Sequence, residues 1–229
     1  MNNMASVKTK KEISLIKKAC EITDCIFSEI ISLVNLNDMT EKELAKFIKS
    51  RIKYYKCKPS FRAIVAASGG ASTPHHKPAQ NKLKGFVVID FGVIYKKYMS
   101  DMTRTIYVGK PSEKEKKIYN LVLKSQQKAK EAIKPIIKCR DVDAVSRKVL
   151  GKWNKYFIHG LGHGVGTRIH EMPRLNKKSR YYLKRDMVIT IEPGVYVKRK
   201  FGIRIEDTCI VQKSGCINLT KSTKKLLTF

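Results

Sequence analysis

Four acidic residues sit in stretches that otherwise read as buried β-strands. Asp90 lies in Val87-Val88-Ile89-Asp90-Phe91, and Glu192 ends Val188-Ile189-Thr190-Ile191-Glu192. Glu206 ends Ile203-Arg204-Ile205-Glu206, and Asp101 opens Asp101-Met102-Thr103-Arg104-Thr105-Ile106. A solvent-facing acid needs no account, but an acid inside an apolar strand must be compensated, because burial penalises its charged form. Arg104 and Arg204 offer one compensation, a purely structural arginine–carboxylate network. Divalent cations offer another, since they take oxygen ligands and carboxylates can bridge two of them.

The histidines favour the second reading. Of the five, His75 and His76 are adjacent, and His159, His163 and His170 fall within Phe157–Glu171. That stretch also holds Gly160, Gly162, Gly164 and Gly166, which let backbone approach a ligand closely. An imidazole nitrogen added to carboxylates suits Mn, Co, Fe or Zn better than Mg or Ca. The spacing is not HExxH, so a zincin-type helix is not the source of the ligands.

These side chains must be positioned by their elements. Apolar periodicity predicts a helix over residues 10–34, with Ile13, Ile16, Ala19, Ile22, Ile26, Phe27 and Ile30 on one face. Thr40 with Glu43, and Ser112 with Glu115, are capping boxes that open helices to about residues 54 and 132. Asp141 is expected to cap a fourth helix, to about Trp153. Residues 61–67 read as a strand. Residues 87–92 and 99–108 read as one hairpin, and 187–197 and 202–212 as another. With turns centred near 95–96 and near 199, Asp90 would face Asp101 and Glu192 would face Glu206, each pair with Cβ atoms roughly 4.5–5.5 Å apart. Helix, helix, hairpin then occurs twice, an α/β (α+β) pattern of internal duplication with helices outside a shared sheet.

Composition bounds the function. The 229 residues suit one domain with a substantial core. No apolar stretch approaches the ~20 residues of a membrane helix. The lysine-broken N-terminus lacks a signal-peptide core. Six cysteines, far apart and with no CxxC pair, read as reduced thiols in a cytoplasmic protein. The net charge of +29 raises nucleic acid as a partner. Because the lysines spread over the whole chain and no aromatic–basic RNA-binding motif appears, general basicity is the preferred account.

Several motifs together resemble a known family. They are Thr73-Pro74-His75-His76, Val88-Ile89-Asp90-Phe91-Gly92, Ser100-Asp101-Met102-Thr103-Arg104-Thr105, His159-Gly160-Leu161-Gly162-His163-Gly164-Val165-Gly166, His170-Glu171-Met172-Pro173, Ile191-Glu192-Pro193-Gly194-Val195-Tyr196 and Gly202-Ile203-Arg204-Ile205-Glu206-Asp207. In this order they resemble the catalytic domain of the proline-specific metallopeptidases, Xaa-Pro dipeptidase (prolidase) and Xaa-Pro aminopeptidase, within the superfamily that includes methionine aminopeptidase. The resemblance implies the pita-bread fold with pseudo-twofold duplication. It implies two divalent metal ions per chain, Mn first, with Co, Zn or Fe as other fits. Asp90 would chelate one ion, Asp101 and Glu206 would bridge both, and His163 and Glu192 would complete the second site.

The same resemblance implies the chemistry: a metal-bridging hydroxide attacks the N-terminal Xaa-Pro bond, and Glu192 passes a proton to the leaving amine. His159 and His170 would contact substrate and stabilise the tetrahedral intermediate. His75 would approach from the other wall, with His76 as its substitute, and Arg204 would hold the carboxylates. The expected partners are a peptide substrate and a second copy of the chain as a homodimer, with no membrane. Residues 1–229 are expected to form a single catalytic domain without the N-terminal accessory domain of full-length relatives. The cleft should then be open, lack groups for a dipeptide's free carboxylate, and favour peptides of three or more residues. Methionine aminopeptidase activity is the alternative within the class. A non-catalytic peptide- or RNA-binding scaffold is the alternative outside it, and the complete ligand set opposes that one.

Overall fold

Of the four α-helices among the described residues, three begin at a reciprocal cap. In α1 (Lys10–Ile31) the Thr9 hydroxyl accepts from the Glu12 N–H while the Glu12 carboxylate accepts from the Thr9 N–H. Thr40 with Glu43 opens α2 (Glu41–Tyr54), and Ser112 with Glu115 opens α3 (Glu113–Glu131), in the same way. The computed structural model describes residues 7–33 and 36–229. The expected helix end at 34 lies outside them, and α1 itself closes at Ile31. In α4 (Cys139–Leu150) the cap expected at Asp141 is corrected. Lys138 holds that position without a side-chain bond, and Asp141 lies in the first turn, where its charge suits the helix dipole. At Gly151, φ 52°, the chain leaves α4 for a 3-10 segment over 151–156, so the helix stops short of Trp153.

The strands are β1 (Lys58–Pro59), β2 (Ile64–Ala67), β3 (Gly85–Phe91), β4 (Val93–Tyr95), β5 (Tyr98–Met99), β6 (Met102–Val108), β7 (Gly162–Gly164), β8 (Glu171–Leu175), β9 (Val188–Ile191), β10 (Gly194–Val197), β11 (Phe201–Arg204), β12 (Asp207–Val211) and β13 (Cys216–Asn218). One sheet orders β2-β3-β6 and another β13-β12-β9-β7-β8. Each carries a helix pair and its own core. Ile22, Ile26, Leu44 and Ile48 of α1 and α2 cluster with Val87, Ile89 and Ile106. Tyr119, Val122, Val142 and Leu150 of α3 and α4 cluster with Ile189, Ile191 and Cys209. Each such aliphatic side chain contributes roughly 1.5–3 kcal/mol on burial. The expected duplication therefore appears as two halves, each a helix pair on a sheet. No helix among the described residues is long and apolar enough to cross a membrane.

The registers decide where the acids stand. In the second half, the pairs Ile191↔Asp207 and Gly194↔Arg204 bracket Glu192 and Glu206 in the register expected for them. In the first half the expectation is corrected: Asp90 pairs with Thr103, not Asp101. The cause is the turn. Lys96 and Lys97, at φ 45° and 77°, make a two-residue connection between Tyr95 and its partner Tyr98. Paired positive φ values match the strand twist and centre the hairpin one residue later than expected. The register slides by two, which preserves the facing of each side chain, so Asp101 stands diagonal to Asp90.

Two lysines at positive φ carry steric strain that asparagine and glycine avoid. Lys96→Asn with Lys97→Gly should raise stability by about 1 kcal/mol. The check is a higher urea midpoint at unchanged m value; a lower midpoint would contradict the turn geometry.

Candidate metal centre

His163 is delivered by a strand that only glycine permits. A Cβ on Gly162 would lie 2.0 Å from the Thr190 carbonyl oxygen, and one on Gly164 would lie 2.3 Å from that of Met172. Their absence lets β7 sit tightly between β9 and β8, with His163 between them buried. The Nδ1 of His163 lies 3.1 Å from the Gly164 carbonyl, which can only accept, so Nδ1 carries the proton. The Nε2 lone pair then faces Glu192 Oε1 at 3.3 Å and Asp101 Oδ2 at 3.6 Å.

The carboxylates are fixed by backbone and hydroxyl contacts. Glu192 donates its N–H to Leu161 O at 2.8 Å, and Glu206 donates its N–H to Thr103 O at 3.0 Å. Thr103 Oγ1 donates to Glu206 Oε2 at 2.7 Å and accepts from Arg204 Nε at 3.0 Å. Arg204 Nη2 donates to Asp90 Oδ2 at 2.6 Å. Asp101, His163 and Glu206 each place one donor atom within 4.8 Å of the other two. With Asp90 and Glu192 they line one cavity of about 520 Å³.

This arrangement is electrostatically incomplete by itself. Burial, then the neighbouring charges of Glu206, Asp90 and Glu192, raises Asp101 well above the usual carboxylate range. Burial, then Glu192 and Asp90, does the same to Glu206. Glu192 is pushed up to about 8 by burial, and Arg204 only partly offsets this. Burial also lowers His163, so a proton on Nε2 is disfavoured. Asp90 Oδ1 is buried with no hydrogen-bond partner. Lone pairs converging on lone pairs, with one oxygen orphaned, fit divalent cations of the kind that take mixed oxygen and nitrogen ligands.

The remaining sequence-predicted residues surround the cavity. His75, His159, His170 and Arg204 all line it. His76 lines it too, but its Nε2 lies 2.8 Å from Glu41, so His75 is the ring left free of that carboxylate. The His170 ring meets His163 edge-on, with centroids 4.4 Å apart. His159 has both nitrogens engaged: Nδ1 donates to Gly160 O at 2.8 Å, and Nε2 accepts from the Tyr196 hydroxyl at 2.8 Å. That hydroxyl in turn accepts from Arg204 Nη1. Arg104 reaches the site only through the backbone, its Nη1 donating to the carbonyl oxygens of Thr103 and Glu206. Its Nη2 pairs with Asp207 at 2.8 Å.

Several supports escaped the sequence reading. Thr103 and Thr190 carry hydrogen bonds of the candidate ligands and Tyr196 links His159 to Arg204, and polar side chains in strands give no local signal of this. Asp143 and Arg147, at i and i+4 on α4, hold the glycine-rich loop: Arg147 Nη2 donates to His159 O at 2.6 Å, and Asp143 Oδ1 accepts from Leu161 N at 3.1 Å. Their helical spacing was the available clue. Glu41, at the start of α2, accepts from Ala67 N at 2.7 Å and Ala79 N at 2.9 Å, and so ties down the loop that carries His75.

The carboxylates make the metal-free protein pH-sensitive. A folded-state pKa above the unfolded value means the native state holds protons that the unfolded chain has released. Stability of the metal-free protein should fall as pH rises from about 5 to about 8, through the raised values of Asp101, Glu206 and Glu192. Saturating Mn should remove the fall, because it replaces those protons. Melting temperatures with chelator and with Mn at both ends of the window check this; a metal-free protein that stabilises with rising pH contradicts it.

Comparison with known proteins agrees with the geometry. The model of metallopeptidase family M24 matches residues 14–213. The chain is 38% identical to a Xaa-Pro dipeptidase of Pyrococcus furiosus, covering 99% of this chain and 66% of that protein, so it spans just under two thirds of that relative's length. Its structure superposes on a prolidase from Pyrococcus horikoshii with a TM-score of 0.94 at 40% identity, covering 98% of this chain and 66% of that one. It superposes on an X-Pro aminopeptidase from Thermotoga maritima with a TM-score of 0.94 at 33% identity, covering 99% and 65%. The two-half architecture is the pita-bread fold that the resemblance implied. With its ligand-rich cavity and a match over most of its length, the chain belongs to metallopeptidase family M24.

Proposed function

We propose that the chain hydrolyses the N-terminal Xaa-Pro bond of peptides with two divalent metal ions. The observation that carries this reading is the convergence of Asp90, Asp101, His163, Glu192 and Glu206 on one cavity, with the His163 Nε2 lone pair aimed at carboxylates. These five would hold the ions, which when bound would supply an activated bridging water and polarise the scissile carbonyl. The relatives named Xaa-Pro dipeptidase and X-Pro aminopeptidase support proline as the second residue.

The side chains then have separable roles. Arg204 orients Asp90 through its 2.6 Å contact. Glu192, ionised when it holds metal, takes up the proton that the attacking water releases and hands it to the departing amine. His170 stands beside His163 on the exposed side of the cavity, where it donates to the oxygen that gains charge as the carbonyl is attacked. His75 closes the other wall. His159, held by Gly160 and Tyr196, shapes the wall and contacts substrate only if Tyr196 releases it. Arg62, Lys77 and Arg174 line the cavity and are cations that could meet a dipeptide's free carboxylate. Dipeptides and longer peptides therefore both remain within reach of the site.

Metal analysis after saturation with Mn should find two ions per chain in the unaltered protein. Asp101→Ala should lose metal and activity together. His170→Ala should keep its metal and lose roughly 10²–10³-fold in kcat. Loss of metal from His170→Ala would reassign that ring as a ligand.

Digestion of a peptide library, read by mass spectrometry, tests the substrate. Release of the residue before proline is the expected outcome. Faster release of methionine from Met-Ala-Ser would assign methionine aminopeptidase activity, and no cleavage by metal-loaded protein would assign a scaffold.

A further inference from the structure

A second groove, of about 590 Å³, adjoins the active-site cavity. Phe61, Arg62 and Ala63 line both, so a three-residue ridge separates them. The floor of the groove is apolar. Ile48 and Ile52 of α2 lie buried beneath it, and Ala45, Pro59 and Pro78 complete it. Its rim is basic. Lys42, Lys46 and Lys49 are exposed and spaced i, i+4, i+7 along α2, which places them on one side of the helix. Arg62 sits at the ridge itself.

Lysines on a helix face are ordinarily just solvated. Two features set these apart. Among the described residues none of the four cations forms an ion pair, because the nearby acids are committed elsewhere. Glu41 serves His76 and Ala67, Glu43 closes the Thr40 cap, and Glu29 pairs with Arg51. The unpaired cations also surround an apolar floor that meets the catalytic cavity at this ridge. A chain crossing the ridge would lay apolar side chains on Ala45, Pro59 and Phe61 and carboxylates against the lysines.

We propose that this groove docks acidic residues lying downstream of the scissile bond in longer peptide substrates. The proposal rests on the peptidase reading above. A tripeptide is short enough to be held by the cavity alone, and an acidic extension reaches the groove. An extended peptide fits better than a nucleic acid, because Phe61 is the one aromatic ring among the groove's lining residues and successive bases need several rings to stack on.

The test compares kcat/KM of the Mn-loaded protein on Ala-Pro-Ala, on the same tripeptide extended by three glutamates, and on the same extended by three lysines. Exposed charge pairs of modest individual strength should together give the glutamate peptide a roughly five- to tenfold advantage over the lysine peptide, shrinking at high salt. The triple variant Lys42→Glu/Lys46→Glu/Lys49→Glu should lose that preference while cleaving Ala-Pro-Ala as before. The triple glutamine variant, which adds no acid, should lose part of it. A control of equal charge change on α3, Lys114→Glu/Lys117→Glu/Lys124→Glu, should keep it. Equal loss in the control would assign the effect to net charge and overturn the site, as would equal turnover of the two extended peptides.

Failure of the peptidase reading would show separately, as no turnover of Ala-Pro-Ala. In that case fluorescence anisotropy of a labelled glutamate-extended peptide, with and without the α2 substitutions, decides the groove alone: binding weakened by the α2 variant and not by the α3 control supports it, and equal binding by all three overturns it.

Discussion

The mutual repulsion of buried carboxylates is the constraint on which this structure is built. Asp90, Asp101 and Glu206 are nearly sealed from solvent, with Glu192 half-buried beside them, and among the described lysines and arginines only Arg204 pairs with one of these carboxylates. A fold with no use for such a cluster would replace it with apolar residues, since buried charges rarely contribute net stability. Keeping it requires the acids to be held at fixed separations before any cation arrives. The hydroxyls of Thr103 and Thr190, the backbone contacts of Glu192 and Glu206, and the Arg204 fork meet that requirement.

The two-half architecture follows from the same constraint. Each half supplies a pair of acids from one hairpin, and each must keep its hairpin from drifting. The seam between them is stitched by a second buried cluster that holds no catalytic role. Arg104, from the first half, pairs with Asp207 of the second, and Lys130 and Lys224 converge on the same carboxylate. Although burial alone would raise it, these cations together hold Asp207 well below the usual carboxylate range. Removing one member of such a network leaves a buried charge uncompensated, which typically costs about 3–5 kcal/mol. Beside this seam Glu206 donates its backbone N–H to Thr103 O, so the register of each half is tied to the other at the candidate metal cavity.

The helices contribute more than cover. Glu41 at the head of α2 gathers Ala67, His76 and Ala79, and the Asp143–Arg147 pair on α4 gathers the His159 loop. Each half thus uses a buried acid on a helix to pin the loop that brings histidines to the cavity wall. The glycines of 160–166 work in concert with those pins, since β7 could not approach Thr190 and Met172 with side chains in the way.

Much of this was legible from neighbouring residues. The capping boxes of α2 and α3, the apolar faces of α1 and α2, and the acids embedded in strands are local patterns, and local patterns survive folding because the interactions behind them span a few residues. The register of Glu192 against Glu206 was legible too, because the turn around Lys198-Arg199-Lys200 is symmetric about its centre. The offset of Asp90 from Asp101 was not, since it hinges on Lys96 and Lys97 adopting positive φ, which their side chains do not favour. Nor could the sequence say that Arg104 would turn its side chain to Asp207, that His76 would be taken by Glu41 and leave His75, or that Tyr196 would engage His159. The sequence by itself determined which side chains could bind metal and roughly which strands would carry them. Only the tertiary structure decided which partner each buried polar group obtained, because those partners come from distant segments whose approach is set by packing.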